Sequence, residues 1–232
     1  MGKLVALVCT IVLVFVAAGG ARAQTNSYST VLDPPSAEGA AEMVDGIAAR
    51  IEDDIITESE VRELAAFQTL VDGQAKPREE VIRELADQWI VRGEASTANY
   101  PKPSAEDVDR AYSQLEKQFP SPAEFERRSA TVGLGEAAIR RMLEQQLYLS
   151  RFLDFRFRPA AQVTEQQIED YYKNEFAASL QKRRQPVPAL EDVDEAIREV
   201  LIQQAISQRA TAWMDDTRER LRIDVIKPST SP

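Results

Sequence analysis

Asp53-Asp54 sets two carboxylates side by side, the beginning of a cation site. A charged turn accounts for the same pair, because no third ligand of suitable spacing accompanies it. Asp215-Asp216 stands beside Arg218 and Arg220, at spacings that pair opposite charges along a helix. Ser59 and Ser104 carry hydroxyls, but the chain contains no histidine to activate them. The lack of histidine also removes the commonest general base and metal ligand. The single cysteine is Cys9, inside an apolar leader, so thiol catalysis and zinc-thiolate chemistry have no source elsewhere. No GxGxxG and no GxxxxGK[ST] occurs, so phosphate cradles are not expected. These observations assign no catalytic, cofactor-binding or metal-ligating residue. The expectation is a protein that is not an enzyme and carries no cofactor.

A different chemistry is available from apolar side chains. "YLSRFLDFRF" (Tyr148–Phe157) places Tyr148, Phe152 and Phe155 on one side of a helix, with Phe157 close by. Tyr171, Tyr172 and Phe176 repeat the theme. These seven residues have two readings, a plain core or an apolar groove that receives extended or unfolded peptide. Arg151, Arg156 and Arg158 interleave with them, and their stems can cover rings while the charged heads stay wet.

The elements that would position these residues are mostly helical. Glu, Gln, Arg, Ala and Leu abound and Gly is scarce, with 9 in 232 residues. Alternation over Ile47–Ile51 predicts a strand with Ile47, Ala49 and Ile51 inward. Glu52-Asp53-Asp54 turns the chain, and Ile55-Ile56 returns as a second strand. Thr57-Glu58-Ser59-Glu60 forms a capping box before a helix to about Val71. A helix beginning after Pro77 carries Val81, Leu85 and Trp89, flanked by Ile82 and Ile90. Ser104 caps a third, with Val108, Tyr112, Leu115 and Phe119 as its stripe. Ser121-Pro122 opens a short helix bearing Phe125, and Gly133 stops it. A long helix follows from about Gly135 to Phe157 along Ile139, Met142, Leu143, Gln146, Leu147, Ser150 and Leu153. Thr164 caps another that leads to Phe176. Ala177–Ala189 reads as a linker. A last long helix carries Val193, Ile197, Val200, Leu201, Ala205, Gln208 and Trp213, and Leu221–Ile226 switches to period two as a closing strand.

The fold class expected is mainly α: a helical module with a small antiparallel sheet, formed by an N-terminal hairpin and a C-terminal strand. An isolated hairpin is marginal in water, so the two ends of the chain should meet. One such domain would span residues 43–226, preceded by a loose leader at 24–42 and followed by a flexible tail at 227–232. Met1–Ala23 has Lys3, an apolar run from Leu4 to Ala18 and a closing Ala21-Arg22-Ala23, the pattern of a signal peptide cut before Gln24. An uncleaved anchor is the alternative, although the run falls short of the ~20 apolar residues that span a bilayer. The implied location is the periplasm or the exterior, with no stable membrane insertion after cleavage. Cleavage removes two of the 28 basic residues and none of the 38 acidic ones, which takes the net charge from −10 to −12. Such a surface does not favour nucleic acid, and "QKRRQ" (Gln181–Gln185) is too short a basic run to reverse that.

"VDGIAARI", "EDD" and "IITESEV" (Val44–Val61) follow one another in an order that resembles the start of SurA-type periplasmic chaperones and related secreted foldases such as PrsA. Ser121–Phe152 resembles the family's short helix, Gly-containing break and long helix. Val163–Phe176 resembles the exit from that chaperone module, and Leu190–Ile226 its C-terminal helix and strand. The resemblance covers most of the chain beyond residue 43. It implies an ATP-independent holdase for unfolded exported or outer-membrane proteins. In that family a parvulin-type isomerase domain commonly sits where this chain has only Ala177–Ala189, a length too short for a domain. No prolyl isomerase activity is therefore expected. The competing readings are a module dedicated to one folded partner, or a homodimer made by swapping terminal segments, and a degenerate isomerase.

Overall fold

The computed structural model describes residues 45–227. The signal peptide expected at 1–23, the leader expected at 24–42 and all but Lys227 of the tail expected at 227–232 lie outside the described residues. The chain is mainly α, with a small three-stranded antiparallel sheet at one end. β1 (Ile47–Ile51) pairs with β2 (Asp54–Thr57) and, on its other side, with β3 (Ile223–Val225), giving the order β2-β1-β3. The head and tail of the described chain therefore share one sheet, as the sequence predicts.

The sheet departs from simple alternation in one place. The register of β1 on β2 shifts between Ile47 and Ala49, so both Ala48 and Ala49 are fully buried. An extra residue on one strand turns two consecutive side chains inward. The Ala48 carbonyl then accepts a hydrogen bond from Ile226 N–H at 2.9 Å, which prolongs the β3 side of the ladder. The turn lacks glycine, yet Glu52 adopts a left-handed φ of 49°. The tail holds it there: Glu52 N–H donates to the Arg222 carbonyl at 3.0 Å, and Arg222 N–H donates to Glu52 Oε1 at 2.6 Å.

Most helix starts are written locally. Thr57 opens α1 (Glu58–Asp72): its hydroxyl accepts from Glu60 N–H at 3.3 Å while Glu60 Oε2 accepts from Thr57 N–H at 2.8 Å. α2 (Arg78–Thr97) follows Pro77, and Ser104 with Asp107 makes a second capping box for α3 (Ala105–Glu116). α4 (Pro122–Thr131) has Pro122 in its first turn and the Ser121 hydroxyl accepting from Glu124 N–H at 3.2 Å. Gly133, at φ 75°, separates it from α5 (Glu136–Phe157). Thr164 and Gln167 box the start of α6 (Glu165–Tyr171). α6 runs through a π-helical turn at Tyr172–Phe176 into α7 (Ala177–Lys182). The expected linker at 177–189 is thus helical in its first half, because the Ala-rich segment continues the preceding helix and the chain is irregular only from Arg183 to Ala189. α8 (Leu190–Arg218) then returns the chain to β3.

Three apolar clusters fill the interior. The sheet packs Ala48, Ile51 and Ile56 on Val61, Leu64, Val81 and Ile82 of α1 and α2. Phe67, Leu115, Phe125, Ile139 and Leu143 join α1, α3, α4 and α5. Val91, Ala95, Leu149, Phe152, Ala210 and Met214 join α2, α5 and α8. α5 reaches all three, through Met142 toward the first two and through Leu149 and Phe152 in the third. Among the described residues no helix is long and apolar enough to cross a membrane.

Candidate functional site

The seven aromatics singled out in the sequence fall into three places. Tyr148, Phe152 and Phe155 share a side of α5 and gather around Tyr100, with ring centroids 6.0, 5.6 and 5.3 Å from it. Tyr100 arrives there because α2 ends in a left-handed Asn99, φ 52°, and its hydroxyl donates to the Arg151 carbonyl at 3.1 Å. Phe152 is 1% exposed and belongs to the core, which removes it as a contact residue; Phe155 is 62% exposed. Phe157 points elsewhere and packs on Trp213 of α8 at 5.9 Å, with the Arg156 guanidinium 4.8 Å from the Trp213 ring. Tyr172 and Phe176 stack at 6.1 Å in the π turn, and the Tyr172 hydroxyl donates to the Pro188 carbonyl at 2.8 Å. Tyr171 is half-buried beside them, and burial raises its hydroxyl pKa. The structure brings Tyr148, Phe152 and Phe155 together around Tyr100, seats Phe157 with Trp213 against the same apolar cluster, and leaves Tyr171, Tyr172 and Phe176 apart from them.

An apolar hollow among the described residues is lined by none of the seven. It lies between α2, α5 and α8, closed at one end by α1, and encloses about 100 Å³. Val91, Leu149, Leu153, Ile206, Ala210 and Met214 form its walls. The positions follow helical spacing. On α8, Ile206, Ala210 and Met214 recur every four residues and are buried. This stripe lies one residue beyond the expected Ala205, which is half-buried. On α5, Gln146, Ser150 and Leu153 come from the stripe read in the sequence, and they line this cleft. Half-exposed Gln146, Gln203 and Ser207 stand on its solvent side.

Its inner end is polar. Glu84, Asp87 and Val91 lie on one face of α2 at successive spacings of three and four, opposite Leu64 and Gln68 of α1. Gln68 falls in the apolar stripe that the sequence predicts for α1 with Val61, Leu64 and Ala65, whereas sequence reasoning missed Glu84 and Asp87 because charged residues in a helix read as a wet face. The structure buries α2 on two sides, against the sheet and against α5 and α8, so Val81, Ile82, Ala86, Ile90 and Val91 are buried together with Glu84 and Asp87. Leu85 and Trp89, expected at the centre of the stripe, are only half-buried, and Trp89 Nε1–H donates to Asp54 Oδ2 at 2.8 Å.

Each buried charge meets its opposite. Glu84 accepts from Lys76 Nζ at 2.6 Å and from the Gln68 side-chain amide. Asp87 Oδ1 lies 2.6 Å from Arg218 Nε, a close ion pair in which the N–H aims off the oxygen. Arg218 also pairs with Asp215. Burial raises the Asp87 carboxyl to about 6, against the opposing pull of Arg218. Ion pairs thus tie α2 to α8 and to the connection that precedes α2, the Gln68 hydrogen bond ties it to α1, and the walls beyond them offer apolar surface. Such an arrangement suits binding of a nonpolar group. No family model and no curated protein matches the chain.

Proposed function

We propose that the protein is an ATP-independent chaperone of the holdase kind, acting in the periplasm on unfolded exported or outer-membrane proteins and lacking prolyl isomerase activity. The observation that carries this reading is the apolar cleft between α2, α5 and α8. Its walls offer contact to a nonpolar client side chain, and each buried Å² is worth roughly 25 cal/mol before ordering costs. Three further features support it. Phe155, Ile55 and Val225 add exposed apolar contacts outside the cleft. The order of sequence words resembles SurA-type chaperones over most of the chain. A net negative charge keeps such a surface soluble between encounters.

The test is suppression of aggregation of an unfolded outer-membrane protein by residues 24–232. We expect suppression that saturates at a several-fold molar excess, and its loss in Leu153→Glu, which sets a charge on the half-buried cleft wall. Unchanged light scattering at that excess overturns the reading.

A further inference from the structure

β3 is an edge of the sheet, and its hydrogen bonds fix which way each residue faces. The Arg222 carbonyl accepts from Glu52 N–H at 3.0 Å, and Ile226 N–H donates to the Ala48 carbonyl at 2.9 Å. Residues 222, 224 and 226 therefore turn their backbone groups toward β1. Backbone groups alternate in side along a strand, so Ile223 and Val225 turn their N–H and C=O outward. Among the described residues no other backbone group bonds to them. Asp224 and Val225 are exposed, which leaves that edge open. Ile223–Val225 contains neither Lys nor Pro, residues that commonly blunt an edge. The opposite edge, β2, offers less, because Glu60 Oε2 already accepts from Thr57 N–H.

The side chains define the strand that would fit. Val225 stands opposite Ala49 and Ile223 opposite Ile51, and both β1 residues are buried, so Ile223 and Val225 lie on the core face. Val225 is nevertheless 51% exposed. The core face runs out beneath β3, and aliphatic side chains from a fourth strand would extend it. Asp224 lies on the other face, with Arg50 across from it on β1 and no strand on its outer side. In an antiparallel fourth strand the residue opposite Asp224 forms a pair without mutual backbone bonds, where side chains approach most closely. A cation there is favoured and an acid disfavoured. The net charge of −10 acts in the same sense. Two copies of this chain paired along the whole strand would set Asp224 against Asp224, which disfavours that occupant.

We propose that the outer edge of β3 takes an extended client segment as a fourth, antiparallel strand, with a basic residue opposite Asp224 and aliphatic residues opposite Ile223 and Val225. This rests on the holdase reading for the source of the segment, and it adds a site apart from the cleft, one that recognises backbone and charge.

The experiment follows the amide signals of residues 24–232 by nuclear magnetic resonance at pH 7.5. The probes are acetyl-Thr-Val-Lys-Val-Thr-amide and the same peptide with Glu in place of Lys. The Lys peptide should shift the Ile223 and Val225 amides, slow their hydrogen exchange, and bind about threefold tighter than the Glu peptide. Asp224→Lys should reverse that order. Val225→Pro removes an outward N–H and keeps the bonds to β1, so it should weaken the Lys peptide about tenfold; circular dichroism checks its fold. Shifts confined to other residues overturn the proposal, as does an unchanged order in Asp224→Lys. Slow exchange of the two amides before any peptide is added also overturns it. Protection that fades on dilution then assigns the edge to a second copy, and protection that persists assigns it to the chain's own residues. If aggregation is suppressed and no peptide binds at β3, the proposal falls and the holdase reading stands. If the Lys peptide binds at β3 without suppression, the edge site stands and the holdase reading falls.

Discussion

Asp87 and its neighbours decide how the inner end of the cleft responds to acid. The fold raises the Asp87 carboxyl from the ordinary 3.8 to about 6, chiefly by burial. The protonated form is thus favoured in the folded state. Its contribution is fully present below about 4 and is lost as pH rises through 6. Asp107, held well below the usual range by Arg151, and Asp154, held below it by Arg158, act in the opposite sense. Their contribution is present above about 4 and is lost as pH falls. Asp87→Asn should flatten the pH dependence of urea stability between 4 and 7 by on the order of 1–3 kcal/mol. Arg218 keeps Asp215 as a partner in that variant. Parallel stability profiles for the two proteins across this window would refute the assignment. None of this was legible in the sequence, where Glu84 and Asp87 are two of many acids. Their burial depends on α8, more than a hundred residues away, covering a face of α2 that local pattern alone marks as wet.

Element ends show the reverse. Thr57, Ser104, Ser121 and Thr164 all cap helices as their sequence neighbourhoods predict, because a cap is settled within four residues. Gly133 at φ 75° is equally local. Thr57→Ala removes the hydroxyl half of the α1 capping box at the junction of sheet and helix and leaves the backbone N–H of residue 57 to donate to Glu60. It should cost about 1 kcal/mol, read as a lower urea midpoint with unchanged slope, and leave client binding intact. What local patterns missed is informative by contrast. The bulge at Ala48 needs β3 to bond its carbonyl, and the stripe on α8 is offset by one residue because two different faces, toward α5 and toward α6, share that helix. The aromatic side of α5 was legible as a face, but not its division into buried Phe152 and exposed Phe155, which depends on where Tyr100 ends α2.

At the scale of the whole molecule, a clasp joins the two ends of the described chain. Arg78, the first residue of α2, pairs with Glu58 at the start of α1 and donates from Nη2 to the Ile226 carbonyl at 3.0 Å. Arg222 and Glu52 close the other end of the same strand. Arg78→Ala should leave the helices in place and loosen β3. Hydrogen exchange at the Ile226 amide, which donates to Ala48, should accelerate at least tenfold, while exchange in the middle of α5 stays as it was. Equal acceleration at both places would mean that the clasp supports the entire fold and not its seam alone.

The position of α8 in chain order carries a consequence for biogenesis. Three walls of the cleft are synthesised in succession, but the fourth, Ile206 to Met214, is among the last parts of the described chain to leave the ribosome. A partly made molecule owns α2 and α5 with their greasy sides uncovered and possesses no finished receptor. Until Arg218 reaches Asp87, such an unfinished chain offers these apolar faces to whatever other proteins surround it.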